Sequence, residues 1–301
     1  MATLKLYQPV DMTRLQAWDG QFPIVEAGHI QATDGVRVQD YFGSFQFDAN
    51  GLSGGTLTST ASYQNGLLYE VTGLNIDAMI MEGYIGDFNF AGALSEVLKG
   101  NDTVIGSAGN DVIISGAGND TIDAGAGVDA VYYSGNKNTI SVASNGTGYQ
   151  VSANGNVDAL INVERVNMGD GSVLALDVKA GENAGTAYRL YQAALDRKPD
   201  AEGLKFWTHQ LDIGDSATQV AQGFVSSQEF KALNPGSDPA SLVNSYYQNV
   251  LHRAADADGL AFWSDAMNNG MTSAQLLVAF SESQENISNT AADLNNGVWL
   301  V

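Results

Sequence analysis

The hydrophobic rhythm of the chain changes three times. Up to about residue 95 it is that of half-buried strands. Val38 to Phe47 mixes aromatic and small residues, Gly55 to Tyr63 is rich in Thr and Ser, and Leu67 to Met81 alternates apolar with polar positions. Asn50-Gly51 and Asn65-Gly66 mark tight turns between these runs, and a short helix is predicted at roughly Ala91 to Leu98. A nine-residue period then takes over, followed from Ala130 to Val178 by short strands broken at Asn145-Gly146, Asn154-Gly155 and Asp170-Gly171. From Gly181 the spacing turns helical, as in Leu190 and Ala194 or Val243, Tyr247 and Leu251. Pro199 suits a first helical turn, Ser216 and Thr272 suit N-caps, and Gly214 and Gly270 suit helix ends. The expected fold class is therefore multidomain β plus α. It divides into a β-rich N-terminal domain (1–96), the periodic segment (97–132), a β-strand extension (133–180), a helical domain (181–290) and a tail (291–301).

The nine-residue period has a physical content of its own. Asp102, Asp111, Asp120 and Asp129 are in register, as are Gly100, Gly109, Gly118 and Gly127, and the apolar Val104, Ile113, Ile122 and Val131. A strand of two or three residues buries no face alone, but repeated with glycine-rich turns it stacks its apolar side chains in a file. Two nonapeptides make one coil, so Asp102 lies over Asp120 and Asp111 over Asp129. Carboxylates stacked a strand spacing apart repel and call for a cation between them. Oxygen donors from these aspartates and from the turn residues Gly100, Ser107, Gly109, Gly116, Gly118, Gly125 and Gly127 suit Ca2+ rather than Mg2+ or Zn2+. A flexible linker would need no phased Asp and Ile/Val.

Composition narrows the partners. With 13 Lys+Arg against 34 Asp+Glu the net charge is −21, which argues against nucleic acid and against an anionic membrane bound through a basic patch. The absence of Cys excludes disulfides, thiolate metal sites and Cys nucleophiles. No apolar run approaches the roughly 18 residues of a spanning helix, and the start lacks the apolar core of a signal peptide.

The repeats Gly106-Ser-Ala-Gly-Asn-Asp-Val-Ile-Ile114, Ser115-Gly-Ala-Gly-Asn-Asp-Thr-Ile-Asp123 and Ala124-Gly-Ala-Gly-Val-Asp-Ala-Val-Tyr132 resemble the RTX (hemolysin-type) calcium-binding nonapeptide, Gly-Gly-x-Gly-x-Asp-x-apolar-x. Gly100 to Ile105 is the end of a further copy. The leading Gly pair is diluted to Gly-Ser, Ser-Gly and Ala-Gly, and Val128 replaces the Asn of the other copies, departures expected to weaken the last turn. The resemblance implies a right-handed parallel β-roll holding Ca2+ in its turns, and type I secretion with an uncleaved C-terminal signal. Ala291 to Val301, with its acidic residue and hydrophobic end, is loosely similar to such signals.

A longer repeat follows. Tyr191, Leu195, Arg197, Asp200, Gly203, Phe206 and Trp207 recur 56 residues later as Tyr247, Leu251, Arg253, Asp256, Gly259, Phe262 and Trp263. Ser227-Gln-Glu229 likewise recurs as Ser283-Gln-Glu285. The pattern is similar to a helical domain of unknown function found beside RTX repeats, and Leu160 to Gly171 resembles the stretch that commonly precedes it. The repeated Phe and Trp read as core anchors, and Arg197 with Asp200, or Arg253 with Asp256, as a turn-fixing ion pair. Asp256-Ala-Asp258-Gly259 lacks the later ligands of an EF-hand and reads as a helix cap.

Catalytic signatures fail on context. Gly51-Leu-Ser-Gly-Gly55 fits the Gly-x-Ser-x-Gly pattern but leads into a β-prone Thr/Ser run instead of a helix. Gly125 to Ala130 imitates a dinucleotide fingerprint but is a phase of the array. No His-Glu-x-x-His is present, and His29, His209 and His252 are scattered. The expectation is a non-enzymatic, calcium-dependent structural protein, secreted to the bacterial cell surface or matrix as an S-layer, filament or biofilm subunit. It would form a homo-oligomer or polymer, with Leu4 to Tyr7 and Val298 to Val301 as contact segments. The alternatives are an adhesin using Tyr41, Phe42, Phe45, Phe47, Tyr63 and Tyr69 against cell-surface polysaccharide, and a secreted hydrolase.

Overall fold

The computed structural model describes residues 1–236 and 238–301, which form two compact units, Met1–Ser172 and Val173–Val301. In the first unit, β1 (Thr3–Leu6) is followed by a 3-10 turn at Met12–Arg14 and then β2 (Gln21–Val25), β3 (His29–Thr33), β4 (Arg37–Asp48), β5 (Gly51–Gln64), β6 (Leu67–Thr72) and β7 (Ile76–Asp77). Two helices come next, α1 (Ala78–Gly86) and α2 (Phe90–Val97). The chain continues through β8 (Thr103–Ile105), β9 (Val112–Ile114), β10 (Thr121–Asp123), β11 (Ala130–Tyr133), β12 (Ile140–Ser144), β13 (Tyr149–Ala153), β14 (Asn156–Ile161) and β15 (Arg165–Met168).

The turn signals act as expected. Gly51 and Gly66 adopt φ of +120° and +119°, conformations that glycine reaches without steric cost, and they join β4 to β5 and β5 to β6 antiparallel. The alternation read from Leu67 to Met81 as strand stops at Thr72. Asp77 then caps α1 by accepting from Met79 N–H at 2.8 Å, so the apolar Ala78-Met-Ile-Met81 runs as helix.

The periodic segment is a parallel roll, and it is longer than its repeats. β8 pairs in parallel with β10, and β9 with β11, placing Val104 on Ile122 and Ile113 on Val131, all four fully buried. Each file extends at both ends into sequence that lacks the motif. Leu4 of β1 pairs with Val104, and Leu160 of β14 with Ile122. In the other file Val166 of β15 pairs with Val131, while an Asp11–Val112 bridge seats Met12 beside Ile113. Residues 2–12 are thus the first coil and residues 158–168 the last. The antiparallel sheet with its two helices is inserted after the first coil, and the β12–β13 hairpin before the last. β1 is shared, parallel to β8 on one side and antiparallel to β6 on the other. Leu4 to Tyr7 is therefore an interior strand, with Leu4 and Leu6 buried, and not a free end able to pair with a neighbour.

In the second unit β16 (Val173–Ala175) precedes α3 (Asn183–Leu195), α4 (Ala201–Asp212), α5 (Ala217–Ser226), α6 (Gln228–Leu233), α7 (Pro239–Asn249), α8 (Ala257–Asn268), α9 (Ser273–Ser281), α10 (Gln284–Leu294) and β17 (Val298–Trp299). Ser216 and Thr272 each form a capping box, with Gln219 and Gln275. Gly214 and Gly270, both at φ +104°, follow the ends of α4 and α8. β17 pairs with β16 and Leu300 is buried, so the tail is packed within its own unit and is not a free contact segment.

The helical repeat corrects one side-chain expectation and adds a stronger partner to another. Trp207 and Trp263 are half-buried against Phe224 and Phe280, at centroid distances of 4.6 and 5.4 Å. Phe206 and Phe262 are exposed, because they occupy the outward face of α4 and α8 next to the inward tryptophans. The main partner of Arg197 is Glu229 at 2.8 Å, with Asp200 at 3.4 Å, and Arg253 binds Glu285 at 2.8 Å with Asp256 at 3.7 Å. Asp200 and Asp256 are the N-caps of α4 and α8, each accepting at 2.7 Å from Gly203 or Gly259 N–H. The largest fully buried side chain is Arg189. Its guanidinium makes two 2.8 Å bonds to Glu282 and donates to the carbonyls of Val178 and Lys179.

Candidate metal centre

The turns of the roll are held in place by close approach of backbone. A Cβ on Gly116 would lie 2.0 Å from the Leu98 carbonyl oxygen, on Gly118 2.2 Å from that of Gly100, and on Gly125 2.2 Å from that of Ser107. These three glycines and Gly127 also have positive φ, so both space and conformation demand the missing side chain. Carbonyl oxygens of one turn consequently sit directly beneath the next. Gly109 is covered by Pro9 of the first coil.

The aspartates form two ladders along the edges of the roll. On one edge Asp102 Oδ1 accepts from Ala2 N–H at 2.5 Å, Asp120 Oδ1 from Asp102 N–H at 2.8 Å, and Asp158 Oδ1 from Asp120 N–H at 3.0 Å. On the other, Asp111 Oδ1 accepts from Val10 N–H at 2.7 Å, Asp129 Oδ1 from Asp111 N–H at 2.7 Å, and Glu164 Oε2 from Asp129 N–H at 2.8 Å. A parallel ladder of asparagines runs outside the first, Asn101 to Asn119 N–H and Asn119 to Val157 N–H, while Asn110 receives Val128 N–H. Val128 has no amide to pass on, so that outer ladder stops there.

Each aspartate thus spends one oxygen on the backbone. Asp111 spends the other on Ser107 N–H at 2.7 Å, and Asp158 spends its other on the Tyr133 hydroxyl at 2.8 Å. The second oxygens of Asp102, Asp120 and Asp129 are buried without a hydrogen-bond partner among the described residues. A buried carboxylate oxygen left bare is costly, and a bound cation removes the cost. Burial, helped by the neighbouring Asp158 and Asp102, pushes Asp120 up to about 6 against the lowering effect of the Asp102 N–H. Burial and Asp111 likewise push Asp129 up to about 6, and burial raises Glu164. Among the described residues no three His, Asp or Glu side chains cluster by themselves into a metal site. The donor set on offer is bare carboxylate oxygens beside turn carbonyls, all hard oxygen, which fits Ca2+ and offers nothing to a soft metal.

Comparison with known families agrees with this chemistry. The model of the RTX calcium-binding nonapeptide repeat matches residues 99–131. This segment is an RTX calcium-binding array. The domain of unknown function DUF4214 matches residues 181–234 and 236–290, the two helical repeats. Neither RTX repeats nor DUF4214 is an enzymatic family, and RTX repeats are typical of secreted proteins. No curated protein matches the chain. Among solved structures, the extracellular lipase LipA from Serratia marcescens is similar at 19% identity, over 23% of this chain and 13% of its own, with a TM-score of 0.18. No helix among the described residues is long and apolar enough to cross a membrane.

The RTX motif reveals the two middle coils and misses the outer two. A signal for the last coil does exist: Asp158-Ala-Leu160 and Glu164-Arg-Val166 repeat the acid-x-apolar step of Asp120-Thr-Ile122 and Asp129-Ala-Val131 without its glycines. The first coil carries no such step, because its backbone N–H groups, at Ala2 and Val10, are all that the ladders require of it.

Proposed function

We propose that the chain is a secreted, non-enzymatic, calcium-dependent structural protein of the bacterial cell surface or extracellular matrix, assembling as a homo-oligomer or polymer. In this reading calcium sits between successive turns. Asp102 and Asp120 with the Gly100, Gly116 and Gly118 turns serve one edge. Asp111 and Asp129 with the Ser107, Gly109, Gly125 and Gly127 turns serve the other. The observation that carries the calcium site is the set of buried second oxygens of Asp102, Asp120 and Asp129, which have no hydrogen-bond partner among the described residues. The non-enzymatic part is supported by Ser53 of the Gly-x-Ser-x-Gly match, which lies inside β5 and not at a strand-to-helix turn. Calcium also lowers the self-repulsion of a surface at −21, a condition for close packing of copies.

Electron microscopy and sedimentation with and without Ca2+ test this. Ordered sheets or filaments that disperse in chelator and return with calcium support it. Monomers under both conditions refute it and favour the adhesin reading. That second reading draws on the exposed ring of Phe42, stacked on His29 at 4.6 Å and 17°, as a flat platform for polysaccharide.

A further inference from the structure

The first unit contains a cavity of about 520 Å3 with no part in the calcium site. Its floor is one face of the antiparallel sheet and its roof is α1, α2 and the segment around Trp18. The strand register lays the floor out in rows. Leu4, Val71, Thr60 and Tyr41 are successive neighbours in one row. Leu6, Tyr69, Ser62, Gln39 and Ala32 form the next, and Gln64 and Arg37 pair beyond it. The floor is therefore aliphatic towards β1 and carries polar groups over β4 and β5, ending at Arg37. Met81, Ala93, Leu94 and Val97 from the helices oppose it with apolar surface. The volume falls in the ~300–1,000 Å3 range of small-molecule pockets, as does the combination of apolar walls with a few polar groups.

Several of the polar groups are already engaged, and the Tyr41 hydroxyl is not. Gln39 donates to Thr60 Oγ1 at 2.5 Å and accepts from the Tyr69 hydroxyl at 3.2 Å, and Thr60 donates to the Asp40 carbonyl at 2.7 Å. The Arg37 guanidinium is bound by Asp34 at 2.7 Å and lies over the Trp18 ring at 4.8 Å, while Arg14 is paired with Asp11 at 3.0 Å. The Tyr41 hydroxyl lines the cavity without a hydrogen-bond partner among the described residues, and burial holds it protonated well above the ordinary phenol range. A protonated hydroxyl is a donor in search of an acceptor.

We propose that this cavity binds a neutral amphiphile, an aliphatic chain carrying a hydroxyl, ester or amide head, with its head at Tyr41 and its chain between the β1 end of the floor and the helices. Charge selects against the anionic counterpart: both guanidiniums in the wall already have a carboxylate, and the chain as a whole is at −21. The role adds to the structural function proposed above and does not depend on it.

The test uses the full-length chain in calcium with N-phenyl-1-naphthylamine as fluorescent probe. It should bind at one saturable site and be displaced by 1-decanol and methyl decanoate, with decanoate at pH 8 at least tenfold weaker. Ala93→Trp fills the cavity from α2 and should abolish probe binding while circular dichroism stays unchanged. Tyr41→Phe should weaken competition by decanol several-fold and leave the probe bound. Where Ala93→Trp fails to fold, Tyr41→Phe alone decides. Absence of saturable binding, probe binding that survives a folded Ala93→Trp, decanoate competing as well as decanol, or unchanged decanol competition in Tyr41→Phe would each overturn the proposal.

Discussion

Asp120→Asn separates the two duties of a ladder aspartate. Asn keeps an oxygen to accept the Asp102 N–H, now held at 2.8 Å, so the turn loses no backbone bond. It replaces the bare second oxygen with an NH2 that cannot bind a cation. The sign of the stability change should then depend on calcium. Without metal, a carboxyl held at about 6 instead of 3.8 disfavours the charged form by about 2–3 kcal/mol at neutral pH, and Asn removes that burden. Part of the gain is returned because the buried amide still lacks a partner, so the metal-free variant should be as stable as the parent or up to about 2 kcal/mol more stable. With calcium, loss of an anionic ligand should weaken binding by about 10- to 100-fold, about 1.4–2.8 kcal/mol per site. Asp120→Ala, which also deletes the acceptor, should be about 1–3 kcal/mol less stable than Asp120→Asn in both conditions. Thermal unfolding followed by circular dichroism, with and without Ca2+, and calorimetric calcium titration measure all three quantities. Equal destabilisation of Asp120→Asn in both conditions would mean that Asp120 is only a backbone acceptor, and an unchanged titration would remove it from the calcium site.

Three further outcomes are expected. In calcium-free buffer the roll should be most stable near pH 4 and lose stability as pH rises through 6, because folded Asp120 and Asp129 bind protons more tightly than in the unfolded chain; saturating calcium should flatten or reverse that slope in melts at pH 4.5 and 7.5. Residues 173–301 expressed alone should give a helical spectrum indifferent to chelator, and Arg189→Met within them should cost about 3–5 kcal/mol by stranding Glu282 and two carbonyls, as read by urea unfolding. Gly223→Ala should destabilise by about 1–3 kcal/mol, since its Cβ would fall 2.4 Å from the Trp207 ring, whereas the equivalent position is already Ala279, where the Trp263–Phe280 pair is wider, and Ala279→Gly should cost only the ordinary helix-interior penalty of about 1 kcal/mol.

What the sequence discloses is what repeats locally. The phased Asp, Gly and Ile/Val of residues 100–131 dictate a roll because each element contacts its own copy 18 residues away. The helical repeat is legible in the same way, from caps such as Ser216 and Thr272 that act within a single turn. Long-range partners leave no such trace. Glu229 binds Arg197 from 32 residues away, so the nearer Asp200 looks like the partner from sequence alone. Phe206 and Trp207 are adjacent aromatics of similar hydrophobicity, and only the packing of α4 against α5 decides which one faces inward. The Asp129 rung ends on a glutamate, Glu164, beyond an intervening hairpin, which no nonapeptide consensus anticipates.

The borrowed first coil sets a clock on the molecule. Rungs within the array close loops of 18 residues, but Ala2 reaches Asp102 across 100 and Val10 reaches Asp111 across 101. By loop-closure entropy the longer step costs about 1–2 kcal/mol more, and its search is slower. Calcium added to the unfolded chain should therefore raise a partly wound solenoid before its N-terminal rung arrives. During that interval β8 presents an unpaired edge, and two such intermediates can exchange first coils. Encounter between chains is then governed by how long the cap is delayed, so rapid calcium addition at high protein concentration favours swapped dimers, and slow addition at low concentration favours chains that close on themselves.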